Sequence, residues 1–309
     1  MPRLGVVGAT GAVGRVAVGL LGERGFDDVR LFASSRSAGT EIDGRLVEEA
    51  TPGALSAGDL DVCFFSVGSK ASRELVPHAV RGGALCVDKS EAFRLQDGIP
   101  LVVPEVNGAR ALEHDGIVAN PNCCSIPLSL VLKPLQDEAG LRAVRVATYQ
   151  SASGKGARRL QQLLDEPQAE HDLSADWSFD GEEFDEETKI RKETRKILEL
   201  PELPVSATCV RVPVMVGHAE AVWVETEEPL SAESAQELLG RAPGVRLQEL
   251  PTTQAAVNTD DVLVGRIRRD PTVANGLVLF VVCDNLNKGA ALNAIQIAEL
   301  VLARRAVAA

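Results

Sequence analysis

The chain opens on an apolar run, residues 4–8, that breaks into Gly-Ala-Thr-Gly-Ala-Val-Gly (residues 8–14) and continues as an amphipathic stretch to about residue 22. No other feature restricts the fold as much. Strand, glycine turn and helix in that order begin a parallel α/β sheet. The glycines let the backbone turn tightly and bring N–H groups at the positive end of a helix up to a pyrophosphate. The spacing is G-x-x-G-x-x-G rather than G-x-G-x-x-G, and a glycine-rich stretch can be a turn and nothing more. Its place between an apolar run and a helix favours dinucleotide binding around Gly8 and Gly11.

A second strand over residues 29–33 runs into Ser-Ser-Arg-Ser-Ala-Gly (residues 34–39). Where an NAD-preferring chain carries an acid about 20 residues past the glycines, this one offers Arg36 between Ser35 and Ser37. A guanidinium and hydroxyls suit a 2′-phosphate, so the expected cofactor is NADP(H). Further strands are expected over residues 61–66, 84–88, 101–103 and 116–119, with a helix over 69–81. Such alternation predicts a doubly wound parallel sheet. In the loop that follows Asp88, Arg94 is a candidate anion ligand.

After residue 119 comes Asn-Pro-Asn-Cys-Cys-Ser-Ile-Pro (residues 120–127), where a strand meets a helix expected from about residue 123 to 138. A free thiol titrates at about 8.5, and N–H groups at a helix N-terminus favour its nucleophilic thiolate form. Cys123 and Cys124 are both candidates here, beside the plain reading of cysteine as a small buried hydrophobe. Cys63, Cys86, Cys209 and Cys283 lie inside apolar runs with no C-x-x-C spacing. They read as reduced core residues, so neither a disulfide frame nor a metal site is expected.

The second half changes pattern. A strand over 142–148 leads into Tyr149-Gln-Ser-Ala-Ser-Gly-Lys-Gly156, then an acidic excursion over 165–187 holding Trp177 and Phe179, then a charged helix over 186–198. Charges spread around a helix usually mark a solvated face. Residues 205–224 read as two buried strands about a bend at Gly217, interrupted by Arg211 and His218. A buried guanidinium needs a partner. Either Glu220 or a ligand carboxylate would serve. Strands over 245–250, 262–269 and 277–283 precede Asp284-Asn-Leu-Asn-Lys-Gly-Ala-Ala291, which opens a last helix to about residue 302.

The formal charge of −12 and the absence of any Lys/Arg run would repel phosphate backbones and anionic lipid, so no nucleic-acid or membrane partner is expected. No apolar stretch reaches a spanning length, and the first residues lack a signal-peptide core. A cytoplasmic location is the expectation.

Taken together, GATGAVG, SSRSAG, NPNCCSIP, YQSASGKG, EETK, CVRVPVMVGH and DNLNKGAALN resemble, in order and spacing, the aspartate-semialdehyde dehydrogenase family. The resemblance implies an α/β chain: a Rossmann-type NADP-binding domain (residues 1–122 with 288–309) and an α+β mixed-sheet catalytic and dimerisation domain (residues 123–287). It implies a homodimer and the NADPH-dependent, reversible reduction of 4-phospho-L-aspartate to L-aspartate 4-semialdehyde and phosphate, towards lysine, methionine, threonine and diaminopimelate. By the same resemblance the nucleophile falls on Cys123, the acid/base on His218 and the substrate-orienting amide on Gln150. Arg211 would hold the substrate carboxylate, Arg94 and Lys189 the phosphate, and Glu186 the ammonium group. Cofactor contacts fall on Thr10, Gly11, Ala12, Val13, Arg36, Ser37, Ser153, Gly154 and Asn285. The chain departs from the family in placing Cys124, rather than serine or threonine, after the nucleophile. Two rivals are a reductase of N-acetyl-glutamyl phosphate and a catalytically silent NADP-binding relative.

Overall fold

The computed structural model describes residues 1–26, 28–166 and 177–308, with side chains to residue 304. The chain divides into two compact units, Met1–Pro121 with Ala290–Ala309, and Asn122–Gly289. Part of the acidic excursion, residues 167–176, lies outside the described residues.

In the first unit seven strands stand in the order β3-β4-β2-β1-β5-β6-β7. They are β1 (Leu4–Val7), β2 (Val29–Ala33), β3 (Glu41–Ile42), β4 (Arg45–Glu49), β5 (Val62–Phe65), β6 (Leu85–Asp88) and β7 (Ile117–Ala119). Every pairing is parallel except β3 with β4. β1, β5 and β6 are buried at every position, which is why they read as unbroken apolar runs rather than alternating ones. Helices Ala12–Glu23 and Ser69–Arg81 provide the crossovers. The final helix, Leu292–Ala308, puts Leu292, Ile295, Ile297 and Val301 into the same core as Leu4, Val6, Leu31 and Val87.

Two features differ from expectation. The β3–β4 hairpin turns on Asp43 and Gly44, both at positive φ (52° and 74°). That is the Asp-Gly signature of a tight two-residue turn. Residues 101–103 form no strand. Leu101 makes one bridge to Ala119, because Pro100 lacks an N–H and Pro104 already begins the short helix Pro104–Asn107.

The second unit holds a six-stranded mixed sheet, order β11-β12-β13-β10-β8-β9. Its strands are β8 (Leu141–Gln150), β9 (Val205–Arg211), β10 (His218–Thr226), β11 (Val245–Leu247), β12 (Val262–Arg269) and β13 (Gly276–Cys283). Along β10, His218, Glu220, Val222, Val224 and Thr226 are each no more than 1 % exposed, while Ala221, Trp223 and Glu225 on the other face are half-buried. Helices Ser125–Ala139 and Asp185–Leu198 pack against the sheet and each other. The first begins at Ser125, two residues later than expected. That start leaves Pro127 in the first turn, where a missing N–H breaks no helical bond.

Candidate active site

The cysteine pair sits on the loop that enters helix Ser125–Ala139. Cys124 is the residue before the helix and is fully buried, whereas Cys123 is partly exposed. Asn122 shapes the loop: its Oδ1 accepts the Cys124 N–H at 2.8 Å and its Nδ2 donates to Glu186 Oε1 at 2.9 Å. The Asn122 N–H in turn donates to Glu193 Oε2 at 2.7 Å. Helix Asp185–Leu198 is therefore no solvated face along its whole length. It buries Glu186, Glu187 and Glu193, each carboxylate placed against donors that other segments supply. Glu187 accepts the Cys209 N–H at 2.8 Å.

Gln150, the last residue of β8, joins the site's charges. Its Nε2 donates to Glu186 Oε1 at 3.2 Å and to Thr148 Oγ1 at 3.3 Å, and its Oε1 accepts from Arg211 Nη1 at 3.4 Å. Arg211 closes β9 and is 3 % exposed. Its Nη1 also donates to the Ser151 carbonyl at 2.9 Å, and its guanidinium lies over the Trp177 ring, 4.7 Å from the centroid. Glu220 accepts no hydrogen bond from Arg211, so the structural partner expected for that arginine is a carbonyl, an amide and an indole face. Lys189 donates to Asp185 at 3.0 Å and lies 3.8 Å from Glu186.

His218 begins β10 and is 1 % exposed. Its Nδ1 accepts the Ser151 N–H at 3.1 Å, which leaves the ring proton of the neutral imidazole on Nε2. Nε2 is buried and has no hydrogen-bond partner among the described residues. One donor atom each from Cys123, Cys124 and His218 lies within 4.8 Å of the other two. A soft cation would accept that spacing, but a metal-bound imidazole donates from its far nitrogen, and here the far nitrogen accepts. The trio reads instead as a reactive group of two thiols beside an imidazole.

Ser153, Gly154 and Asn285 belong to the same neighbourhood. Asn285 Oδ1 accepts from the hydroxyls of Ser151 (3.1 Å) and Ser153 (3.0 Å) and from the Gly217 N–H (2.8 Å). A methyl group at position 154 would sit 2.9 Å from Arg211 Nη1 and 3.1 Å from His218 Nε2, so any side chain there would displace one or both of these groups.

The electrostatics separate the two thiols. The Cys123 thiol lies well below its ordinary value, chiefly because Cys124 donates to it, with help from His218 and the charge of Arg211. Burial pushes the Cys124 thiol well up, as does the neighbouring Cys123. Burial likewise raises the Glu186 and Glu220 carboxyls, with Cys123 adding to both. Cys63, Cys86, Cys209 and Cys283 are buried and raised by burial, in keeping with core thiols.

In the first unit the glycine turn fits a nucleotide. A methyl at Gly8 (φ +88°) would lie 2.3 Å from the Ser66 carbonyl oxygen, and one at Gly14 would lie 2.1 Å from the Gly8 carbonyl oxygen. Gly11 caps helix Ala12–Glu23 without a side chain, so the first-turn N–H groups of Ala12 and Val13 meet no capping oxygen from it. Beside the turn is a cavity of 270 Å³ bordered by Gly8, Ser34, Ser35, Glu49, Val67 and Glu74 among others. Sequence reasoning missed Glu49 and Glu74 there. Arg36 and Ser37 follow on an adjoining turn, Arg36 exposed. Arg94 is held by the carbonyls of Asn120 (3.0 Å) and Lys89.

A nucleotide-fitting parallel unit and a cysteine-centred mixed-sheet unit define a class of dehydrogenase. Family models agree: the semialdehyde dehydrogenase NAD binding domain matches residues 3–114 and the semialdehyde dehydrogenase dimerisation domain matches residues 132–288. The aspartate-semialdehyde dehydrogenase of Streptomyces akiyoshiensis is 45% identical, over 97% of this chain and 98% of that protein. That of Bacillus subtilis is 40% identical, over 96% of each. Aspartate semialdehyde dehydrogenase II from Vibrio cholerae, solved complexed with ASA, superposes with a TM-score of 0.89 at 36% identity, covering 98% of both chains. The Candida albicans enzyme, solved with NADP, gives a TM-score of 0.80 at 25% identity, covering 99% of both. The chain belongs to the aspartate-semialdehyde dehydrogenase family.

Proposed function

We propose that this chain reduces 4-phospho-L-aspartate to L-aspartate 4-semialdehyde and phosphate, reversibly and with NADPH, through a thioester on Cys123. The observation that carries the reading is the thiol of Cys123, a half-buried residue, beside His218 and near Arg211 and the Gln150 amide, with a second, buried cysteine next to it. The Cys123 thiolate attacks the acyl carbon, the C–S bond forms, and the C–O bond to phosphate breaks. When bound, NADPH would supply the hydride that the thioester carbonyl takes up. His218, with its ring proton on Nε2, donates a hydrogen bond to the oxygen and then to the departing sulfur as each gains charge, and the C–S bond breaks to leave aldehyde and the Cys123 thiolate. The tautomer favours this donor role over initial removal of a thiol proton, since Cys123 is already inclined to ionise.

Arg211 grips the substrate carboxylate with its planar fork, its plane set by Trp177. Gln150 orients the acyl group, Lys189 and Arg94 meet phosphate, and Glu186 meets the ammonium group. Gly8, Thr10 to Val13, Ser35 to Ser37, Ser153, Gly154 and Asn285 hold the cofactor. The second unit, residues 123–287 in this reading, is also the dimerisation domain. Its open sheet face, with Arg145, Ala147, Thr208 and Trp223 around a cavity of 480 Å³, is the surface we assign to the homodimer. Among the described residues no helix is long and apolar enough to cross a membrane, and we assign the enzyme to the cytoplasm.

The test is phosphate-dependent NADPH formation from aspartate semialdehyde and NADP. Cys123→Ala abolishes it, while Cys124→Ala retains a measurable rate. A folded, NADP-binding protein with no phosphate-dependent activity overturns the reading, and N-acetyl-glutamate semialdehyde is then the substrate to try before a silent binder is accepted.

A further inference from the structure

Ser151 touches His218 and Arg211 at once. Strand β8 ends at Gln150 and lies between β9, which ends in Arg211, and β10, which begins at His218. Ser151 is the next residue along and is fully buried. Its N–H donates to His218 Nδ1 at 3.1 Å, and its carbonyl accepts from Arg211 Nη1 at 2.9 Å. Those two bonds use the main chain, so most residues could make them. What serine adds is a hydroxyl.

That hydroxyl is turned away from its usual local task. Ser151 precedes the short helical turn Ala152–Lys155, yet its side chain accepts none of that turn's N–H groups, as a serine in a capping place ordinarily does. Its Oγ lies instead 3.1 Å from His218 Nδ1, 3.0 Å from Ser153 Oγ and 3.1 Å from Asn285 Oδ1. Groups that can only donate decide how the protons run. The Gly217 N–H meets Asn285 at 2.8 Å, which makes that atom the amide oxygen and leaves the amide nitrogen to donate to Ser153 Oγ at 2.9 Å. An amide oxygen has two lone pairs, and three donors reach this one: the Gly217 N–H and the hydroxyls of Ser153 (3.0 Å) and Ser151 (3.1 Å). One proton is in excess, and the Ser151 proton has a second acceptor within reach. Nδ1 already accepts the Ser151 N–H, so it carries no proton of its own, and the 3.1 Å contact to Ser151 Oγ is a hydrogen bond only if the hydroxyl donates. The Ser151 proton is therefore shared between Asn285 Oδ1 and His218 Nδ1, a three-centre arrangement.

We propose that Ser151 is a positioning residue for His218: its hydroxyl, braced by Ser153 and Asn285, joins its N–H in donating to Nδ1 and so holds the imidazole in the orientation and tautomer that carry the proton on Nε2. This rests on the reading of His218 as a donor to the reacting atoms, but its first test needs neither substrate nor cofactor. The full-length protein is labelled with 15N and its imidazole nitrogens are read by long-range proton–nitrogen NMR. The chain has four histidines, and the resonances of His218 are those missing from His218→Gln. In the unmodified protein Nε2 is the protonated nitrogen, and Nδ1 is an acceptor nitrogen shielded by its donors.

Ser151→Ala keeps both main-chain bonds and removes the hydroxyl. The Nδ1 resonance then moves toward that of an unbonded acceptor nitrogen. In NADPH formation from aspartate semialdehyde, kcat falls about fivefold, the worth of one ordinary hydrogen bond, while KM is kept because Arg211 still has the residue 151 carbonyl. Ser151→Thr retains a hydroxyl and restores both readings. Should Ser151→Ala not fold, Ser153→Ala removes the brace and moves the Nδ1 resonance in the same sense. An Nδ1 resonance that stays in place assigns the hydroxyl to Asn285 alone and overturns the proposal. So does a moved resonance with kcat unchanged, or a folded threonine variant that behaves like alanine. A protein inactive on aspartate semialdehyde loses the reading of its function, and the nitrogen resonances still decide this one.

Discussion

Gly154→Ala tests the site with one methyl group. Its backbone is not in the left-handed region, so alanine meets no conformational penalty there and the fold has no reason to fail. The methyl would stand 2.9 Å from Arg211 Nη1, 3.0 Å from His218 Cε1 and 3.1 Å from His218 Nε2. Ordinary contact begins near 3.4 Å, so guanidinium and imidazole must each retreat by roughly half an ångström or less. Both belong to buried networks, Arg211 with Gln150 and Ser151, His218 with the Ser151 N–H. Since a 1 Å misplacement can cost on the order of a hundredfold in rate, half of that corresponds to about tenfold, or about 1.4 kcal/mol of transition-state stabilisation. The assay is steady-state NADPH formation from aspartate semialdehyde, phosphate and NADP, run beside thermal unfolding. We expect kcat/KM to drop about tenfold with the unfolding temperature lowered by only a few degrees. A kcat/KM within twofold of the unmodified protein would refute the placement of Arg211 and His218 against residue 154.

Trp177→Ala removes the ring beneath Arg211, a contact of about 0.5–2 kcal/mol, so KM for aspartate semialdehyde should rise several-fold with kcat nearly kept; a fall in kcat alone would argue against a binding role. Glu193→Ala leaves the buried Asn122 N–H without its 2.7 Å acceptor and should destabilise by about 1–3 kcal/mol in denaturant unfolding, with lower kcat because the same loop carries Cys123; unchanged stability and rate would sink it. Arg36→Ala should raise KM for NADP far more than KM for NAD, and equal changes would remove Arg36 from the 2′-phosphate site.

What could be read from the residues was what they encode locally. The strand, glycine turn and helix from residue 4 to 23 are visible because apolar runs and φ-demanding glycines report on their own neighbourhood. The cysteine loop was readable for the same reason, down to Pro127 constraining the helix start. The β3–β4 hairpin was equally local and was overlooked: Asp43-Gly44 announces it, but its strands are short and half exposed. The buried carboxylates of helix Asp185–Leu198 are a different case. Glu186, Glu187 and Glu193 look like any solvated acids. What buries them is a set of donors at Asn122, Gln150 and Cys209, brought over from separate segments. Nor could hydropathy show that Trp177 lies under Arg211 or that Glu220 does not pair with it. The position of Arg211 was legible as an anomaly; its partners were a matter of tertiary structure.

The first unit is interrupted: its chain leaves at Pro121 and returns at Ala290, and the returning helix fills the core shared by β1, β2 and β6. Synthesis runs in one direction, and domains made first usually fold first. Here the unit made first cannot be completed first. As the chain emerges from a ribosome, the residues of the nucleotide-fitting unit appear at the start yet lack Leu292, Ile295, Ile297 and Val301 until the end, whereas Asn122–Gly289 is continuous and has all its residues well before that. The cysteine-bearing unit can close on itself while the sheet that precedes it is still waiting for its last helix.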